Sequence, residues 1–62
     1  MARHTKSDIV DAAEFLFSQS GFTQTSMRDI TARAGVNLAS VNYHFGSKKN
    51  LIQAVFKRYF DH

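Results

Sequence analysis

Apolar residues recur at helical spacing along most of the chain, and this pattern predicts four helices. From Lys6 to Ser18 the apolar positions lie three or four residues apart, with acidic side chains on the other faces. Thr5 and Asp8 have the spacing of a capping box at the start of this segment, and Gly21 is placed to end it. We therefore expect a first helix over about residues 6–18.

Two shorter helices are expected next, joined by a turn that contains glycine. Ser26 and Asp29 have the spacing of a cap and its acid, which predicts a second helix over about Met27–Ala34. Gly35 can adopt a positive φ in the turn. A third helix over about Leu38–Phe45 follows, and two short helices joined in this way are typical of a helix-turn-helix.

A fourth helix completes the pattern. Asn37 is the expected N-cap of the third helix; Gly46 closes that helix, and Ser47 caps the fourth, which is expected to continue to the end of the chain. This last helix carries two apolar stripes, one of Leu51, Val55 and Tyr59 and one of Ile52, Phe56 and Phe60. A bundle of three short helices buries only one such stripe well. We therefore expect the other to face something beyond the bundle, in a longer protein of which this chain is the N-terminal piece.

The predicted fold class is all-α, with a division at the start of the fourth helix. Residues 1–47 are expected to form a three-helix bundle with a helix-turn-helix, and residues 48–62 to form the fourth helix. A chain of 62 residues without cysteine has neither a disulfide framework nor a thiolate metal cluster, and its core can only be small. Size alone thus predicts a partner.

The hydropathy of the chain argues against a membrane partner, and its charge favours a negatively charged one. No apolar run approaches the roughly 18 residues that span a bilayer, so no membrane partner and a cytoplasmic location are expected. The formal net charge is +3, and most of the basic residues follow the first helix: Arg28, Arg33, Lys48, Lys49, Lys57 and Arg58. A positive face on the later helices would suit a polyanion.

Two lysines stand where a helix favours acids. Lys48 and Lys49 follow Ser47 in the first turn of the fourth helix, where the helix dipole disfavours each cation by ~0.3 to 1 kcal/mol. A phosphate held by the helix start, the Ser47 hydroxyl and a lysine would compensate for this cost. Two solvated surface lysines are the alternative interpretation of the same feature.

The outer half of the third helix is rich in hydrogen-bonding groups. Val41 and Phe45 lie four residues apart and hold one half of the helix to the core. The other half presents hydroxyl, amide, phenol and imidazole groups, contributed by Ser40, Asn42, Tyr43 and His44. Such groups can bind phosphate oxygens or base edges, and the second helix of a helix-turn-helix is the element that enters a DNA major groove.

With these residues in view, the sequence resembles the N-terminal DNA-binding domain of the TetR/AcrR family of bacterial transcriptional regulators. The similar runs are IVDAAEFLF, GFTQTSMRDI, ARAGVNLASVNYHF and SKKNL, which together extend from Ile9 to Leu51. The resemblance implies a homeodomain-like bundle whose second and third helices form the helix-turn-helix. It also implies a fourth helix that links to a C-terminal domain for ligand binding and dimerisation.

Matched position by position, the family pattern implies two sets of DNA contacts. Phosphate contacts are expected from Thr25, Asn37, Ser40, Tyr43, His44 and Lys48. Base contacts are expected from Arg28, Leu38, Ala39 and Asn42. Many family members have Lys and Gly in place of Leu38 and Ala39, and Tyr in place of Asn42, so the operator cannot be transferred from a relative.

The base-contacting residues themselves favour certain base pairs. Leu38 and Ala39 can touch thymine methyl groups, Asn42 can bind adenine through two hydrogen bonds, and Arg28 can pair with guanine. We therefore predict that the third helix contacts mainly A·T pairs.

The resemblance also implies partners and a mode of action. We expect a homodimer on a palindromic operator and a repressor that is released by a small-molecule effector bound in the C-terminal domain. The run NLASVNYHFGSKKNL is similar to a subgroup that responds to fatty acids or related acyl compounds. The expected location is the bacterial cytoplasm, on the nucleoid.

Other classes of protein fit less of the sequence. No nucleophile, metal-ligand or cofactor constellation is visible, because the histidines are far apart in the sequence and cysteine is absent; an enzyme is not expected. A three-helix protein-interaction module with a basic face for an acidic partner is the alternative. It explains the charge and the second apolar stripe of the fourth helix, but not the polar groups on the third. A purely structural interpretation assigns Phe15, Phe17, Phe22 and Phe45 to the core and leaves Tyr43 and His44 without a role.

Overall fold

The computed structural model describes residues 4–61, which form four helices. Their bounds are α1 Thr5–Gln24, α2 Met27–Ala34, α3 Leu38–His44 and α4 Lys48–Phe60. The described chain contains no strand, which confirms the predicted all-α class. The fourth helix was expected to reach the end of the chain; α4 ends at Phe60, and His62 lies outside the described residues.

Side-chain caps define the starts of the three later helices, as the sequence predicts. Ser26 and Asp29 form a reciprocal capping box at α2, in which the Asp29 carboxylate accepts from the Ser26 backbone N–H at 3.0 Å. Asn37 Oδ1 caps α3, and Ser47 Oγ caps α4. Each cap satisfies a backbone N–H that has no partner inside its helix.

The first helix differs from its prediction at both ends. Its N-cap is His4, whose side chain makes no capping hydrogen bond, and Thr5 already lies inside the helix; the predicted capping box of Thr5 with Asp8 is therefore wrong. At the other end, Gly21 interrupts the helix with φ 83° and ψ 167°, a region that is essentially restricted to glycine. One further helical turn then extends to Gln24, beyond the predicted end.

The core lies where the four helices meet. Each helix contributes apolar side chains, and the buried set is Ile9, Val10, Ala12, Ala13, Phe17, Ile30, Val41, Phe45, Leu51 and Val55. Burying one large aliphatic side chain contributes ~1.5 to 3 kcal/mol. Because Leu51 and Val55 belong to this set, the first turns of α4 pack in the same core as the helix-turn-helix. The predicted domain division between residues 47 and 48 remains a prediction.

Two basic side chains turn toward α1. Arg58 of α4 forms an ion pair with Asp11 and approaches Glu14 at 3.9 Å, and the Arg33 guanidinium lies 3.6 Å from the centre of the Phe15 ring. The prediction of a positive face on the later helices therefore does not extend to these two residues, because their charges are directed at α1.

A continuous row of rings runs from the core to the surface. Phe17 contacts Phe22 at 4.9 Å between ring centres, Phe22 contacts Phe56 at 5.4 Å, and Phe56 stacks on Phe60 at 6.3 Å. Tyr59 is also exposed on this side. We call Phe22, Phe56, Tyr59 and Phe60 the aromatic face.

The exposure of these rings corrects part of the sequence interpretation. Phe15 and Phe22 are more than one third exposed, so the core holds Phe17 and Phe45 but not the other two. In the first predicted stripe of α4, Leu51 and Val55 are buried, whereas Tyr59 is exposed. No helix within residues 4–61 is both long and apolar enough to cross a bilayer.

Candidate nucleic-acid interface

Four side chains of α3 project together from the outer side of the helix-turn-helix. Leu38, Ala39, Asn42 and Tyr43 are all exposed, and their spacing places them on one face of the helix. Tyr43 is 86% exposed, whereas Val41 on the opposite face is fully buried. We call these four residues the recognition surface, because they are the groups that could meet base edges in a groove.

The turn before α3 fixes the position of this surface. Gly35 adopts the left-handed conformation with φ 71° and ψ 33°, which costs glycine little. Asn37 Oδ1 then accepts a hydrogen bond from the Ser40 backbone N–H at 2.9 Å. The Asn37 amide nitrogen takes no part in that bond and can donate to a phosphate, and the half-buried Ser40 lies one turn further along.

The C-terminal end of α3 carries two neighbouring rings. Tyr43 and His44 meet edge to face, with their centres 5.1 Å apart. Tyr43 points into solvent, whereas His44 is half-buried beside the starts of α1 and the later turns of α4. The two predicted phosphate contacts thus lie side by side at one edge of the recognition surface.

Lys48 lies close to the start of α2. Hydrogen bonds from the Ser26 backbone N–H and the Ser26 side chain lower the pKa of Asp29 below its ordinary value of 3.8, and the positive charge of Lys48 lowers it further. The negative charge of Asp29 therefore offsets part of the free-energy cost of placing Lys48 in the first turn of α4. A bound phosphate would need to offset only the remainder. Arg28, next to Asp29 in α2, is exposed, so both basic residues lie near the start of that helix.

Thr25 does not join the other predicted contacts. Its side chain is 2% exposed, and its hydroxyl donates to the Gly21 carbonyl at 2.9 Å and more weakly to the Leu16 carbonyl at 3.3 Å. Thr25 directly follows α1, and its hydroxyl is thus held against the end of that helix, beside the interruption at Gly21. The predicted phosphate contact by the Thr25 hydroxyl is not supported by this geometry.

Two residues near the site were not identified from the sequence. The Asn50 side chain donates to the Phe45 carbonyl at 2.8 Å and so holds the corner between α3 and α4. Lys6 places its ammonium 6.0 Å from the centre of the Phe45 ring. The sequence position of Lys6, in the first turn of α1, does not indicate a role at the site. Its ammonium reaches the end of α3 only in the folded chain.

The arrangement of the exposed groups on α3 is suited to binding. Across residues 4–61 no three His, Asp or Glu side chains are grouped in a way that could hold a metal ion. The exposed groups of α3 are hydroxyl, amide and apolar, which are the groups that make contacts with base edges and phosphates. A helix-turn-helix with these groups on its second helix defines a class of DNA-binding domain.

Comparison with known proteins gives the family within that class. Residues 9–55 match the family of bacterial regulatory proteins, tetR family. Because the match covers most of the chain, the protein belongs to this family, as its resemblance in sequence predicted.

Curated relatives support the same assignment. The chain is 37% identical over 57 residues to the probable HTH-type transcriptional regulator YttP of Bacillus subtilis, covering 92% of this chain and 28% of that protein. It is 37% identical over 54 residues to the HTH-type transcriptional regulator TtgR of Pseudomonas putida, covering 87% and 26%. It is 39% identical over 57 residues to IcaR of Staphylococcus aureus, the negative transcriptional regulator of the biofilm operon icaADBC, covering 92% and 31%. The chain thus spans about a quarter to a third of the length of these relatives.

Proposed function

We propose that this chain is the DNA-binding part of a transcriptional repressor that recognises a specific operator. The observation that carries the proposal is the recognition surface, which exposes four side chains on the second helix of the helix-turn-helix in a chain that belongs to the TetR family. One relative is named as a negative regulator, which favours repression over activation.

In this proposal, one set of residues on and near the recognition surface contacts bases and another set contacts phosphates. Leu38, Ala39, Asn42 and Arg28 contact bases, and α3 favours A·T pairs because Leu38 and Ala39 suit thymine methyl groups and Asn42 suits adenine. Phosphate contacts come from Asn37, Ser40, Tyr43, His44 and Lys48. Thr25 is omitted from the proposed side-chain contacts because its hydroxyl is directed inward.

The partners of the whole protein follow from the family. We propose that two copies bind a palindromic operator, with their α3 helices in successive major grooves. A small-molecule effector, bound outside this chain, would release the operator. The site of action would be the bacterial cytoplasm, where the nucleoid presents the operator, and neither a cofactor nor an enzymatic activity is part of the proposal.

Base contact by Asn42 can be tested with duplexes that the protein selects from a randomised library. Binding of the selected duplex and of its single-base variants is measured by fluorescence anisotropy for the parent protein and for Asn42→Ala. Losing a bidentate contact should remove ~1 to 3 kcal/mol of discrimination at one base pair. Gln53→Ala is the matched control, because Gln53 is an exposed amide on α4. Unchanged relative affinities for the variants with Asn42→Ala would refute the base contact.

Phosphate contact has a different signature. Tyr43→Phe should weaken binding to the selected and scrambled duplexes by a similar factor, because a phosphate contact carries no sequence information. Tyr59→Phe makes the same chemical change at an exposed site on the aromatic face and should have no effect. Lys48→Ala should lower the salt dependence of binding by about one unit of slope per subunit. A loss confined to the selected duplex would contradict the role of either residue.

A further inference from the structure

An open groove of about 730 Å³ lies beside the C-terminal end of α3. The start of α1 forms one side, the later turns of α4 form the other, and His44 of α3 lines it between them. Basic side chains surround the groove, among them Lys6, Lys57 and Arg58. The groove therefore adjoins the edge of the recognition surface where a phosphate contact is already proposed.

The basic side chains of the groove differ in what they face. Arg58 is paired with Asp11 and Glu14 of α1, so its charge is largely compensated within the molecule. Lys57 lies in the last turn of α4, and Asp61 also lines the groove. Lys6 is exposed like Lys57, but it differs from both because its ammonium lies 6.0 Å from the centre of the Phe45 ring, at the end of α3.

An unbroken path links Lys6 to the recognition surface. Tyr43 contacts His44 with 5.1 Å between ring centres, and His44 lies 6.3 Å from Phe45, the ring over which Lys6 is placed. Because the sugar-phosphate backbone is continuous, a strand that meets Tyr43 and His44 presents its neighbouring phosphates along the same edge. A flexible lysine side chain on that edge can reach one of them.

We propose that Lys6 in α1 contacts an operator phosphate at the His44 end of α3. This inference rests on the proposed function, since it assumes that DNA lies against the recognition surface. The contact is sequence-independent: it adds affinity, holds the protein in register on the duplex and brings α1 into an interface otherwise formed by α2, α3 and the start of α4.

The test compares two lysines of one groove in the same protein. Affinities of the parent, Lys6→Gln, Lys6→Arg and Lys57→Gln are measured by anisotropy between about 50 and 200 mM salt. The probes are the duplex selected from a randomised library and a scrambled duplex of equal length. Circular dichroism and thermal unfolding of each variant verify that the fold is retained. If Lys6→Gln lowers the unfolding midpoint, the comparison of the parent with Lys6→Arg, which retains the charge, still tests the contact.

The expected result separates a local contact from a general effect of charge. Lys6→Gln should weaken binding to both duplexes roughly five- to tenfold at about 0.1 M salt and reduce the slope of log K against log salt by about 0.9 per subunit. Lys6→Arg should preserve both values, and Lys57→Gln should change them much less. Equal effects of Lys6→Gln and Lys57→Gln, or no effect of Lys6→Gln, would overturn the contact.

The same data distinguish this inference from the proposed function. If the parent protein prefers the selected duplex and Lys6→Gln binds like the parent, the inference fails and the function stands. If the parent binds both duplexes equally and Lys6→Gln weakens both, sequence-specific recognition fails and the phosphate contact stands. If the parent binds neither duplex, both are overturned.

Discussion

The recognition surface and the aromatic face are both exposed, but they offer opposite chemistry. On α3, an amide and a phenol stand among small or aliphatic side chains. On the aromatic face, Phe22, Phe56 and Phe60 present rings without any polar group, and Phe60 is 76% exposed. The polar groups of the first surface can replace their bonds to water with bonds to a polar polymer, whereas the three phenylalanines of the second gain only by leaving water.

This difference indicates what each surface can bind. Hydrogen-bonding groups beside basic residues suit DNA, and clustered rings suit an apolar protein surface. The curated relatives are about three times as long as this chain, and the family resemblance predicts that α4 leads to a further domain. The aromatic face contains the apolar stripe that the protein-interaction alternative would explain, but it is not the basic face on which that alternative depends.

The largest expected effect tests whether both surfaces depend on one core. Ile30 is completely buried between the helices that carry the two surfaces, so Ile30→Ala should reduce the free energy of unfolding by ~2 to 5 kcal/mol. Chemical denaturation followed by circular dichroism measures the loss. The control is Phe60→Ala, which removes a larger but exposed side chain and should cost much less. A similar cost for the two variants would show that Phe60 is far better packed than its exposure indicates.

An intermediate effect is expected where α1 joins the helix-turn-helix. Thr25→Val keeps the shape of the side chain but removes the donor to the Gly21 carbonyl, which should cost ~1 to 3 kcal/mol. Thr23→Val makes the same change at an exposed position in the same turn and should be nearly neutral. Thermal unfolding of both variants gives the comparison. If Thr25→Val kept full stability but weakened DNA binding, the hydroxyl would have a role at the interface after all.

The smallest effect concerns the charges beside the recognition surface. The folded protein lowers the pKa of Asp29, so the fold favours its carboxylate form. This contribution is fully present above the unfolded pKa of about 3.8 and is lost as the pH falls through the lower, folded pKa. An NMR titration of the Asp29 carboxyl should therefore show a midpoint below 3.8.

Two variants sharpen this measurement. Ser26→Ala should raise the pKa of Asp29 part of the way back, because the backbone N–H of residue 26 still donates to the carboxylate. Lys48→Gln should raise it less, since the charge of Lys48 is the smallest of the stabilising causes. A larger shift with Lys48→Gln than with Ser26→Ala would mean that the charge of Lys48, and not the hydrogen bond of the Ser26 side chain, is the stronger cause of the lowered pKa of Asp29.

Local signals predicted most of the fold. The caps Ser26, Asn37 and Ser47 each act through residues three positions away, so the sequence contains both partners of every bond. Gly35 likewise marks the turn by its own conformational freedom. For the same reason the exposed position of Tyr43 and the buried position of Val41 followed from helical spacing alone.

Features that depend on distant partners were not predicted. The inward hydroxyl of Thr25 depends on how the end of α1 folds back, which brings the Leu16 carbonyl, nine residues away, within 3.3 Å. Arg58 does not contribute to a basic face, because α4 packs against the acidic side of α1 and Arg58 pairs with Asp11. Lys6 approaches α3 only in the folded chain. In each case spacing along the sequence gives the face of a helix but not the neighbour that this face meets.

The distribution of tyrosine has a practical consequence. The chain contains no tryptophan and two tyrosines, and one of them, Tyr43, lies on the recognition surface while the other, Tyr59, lies on the aromatic face. Ultraviolet excitation of this unlabelled chain therefore produces emission from one tyrosine on each of the two surfaces. With Tyr59→Phe the remaining signal comes from α3 alone, and with Tyr43→Phe it comes from α4 alone, so the occupancy of the two surfaces can be followed separately without attaching a dye.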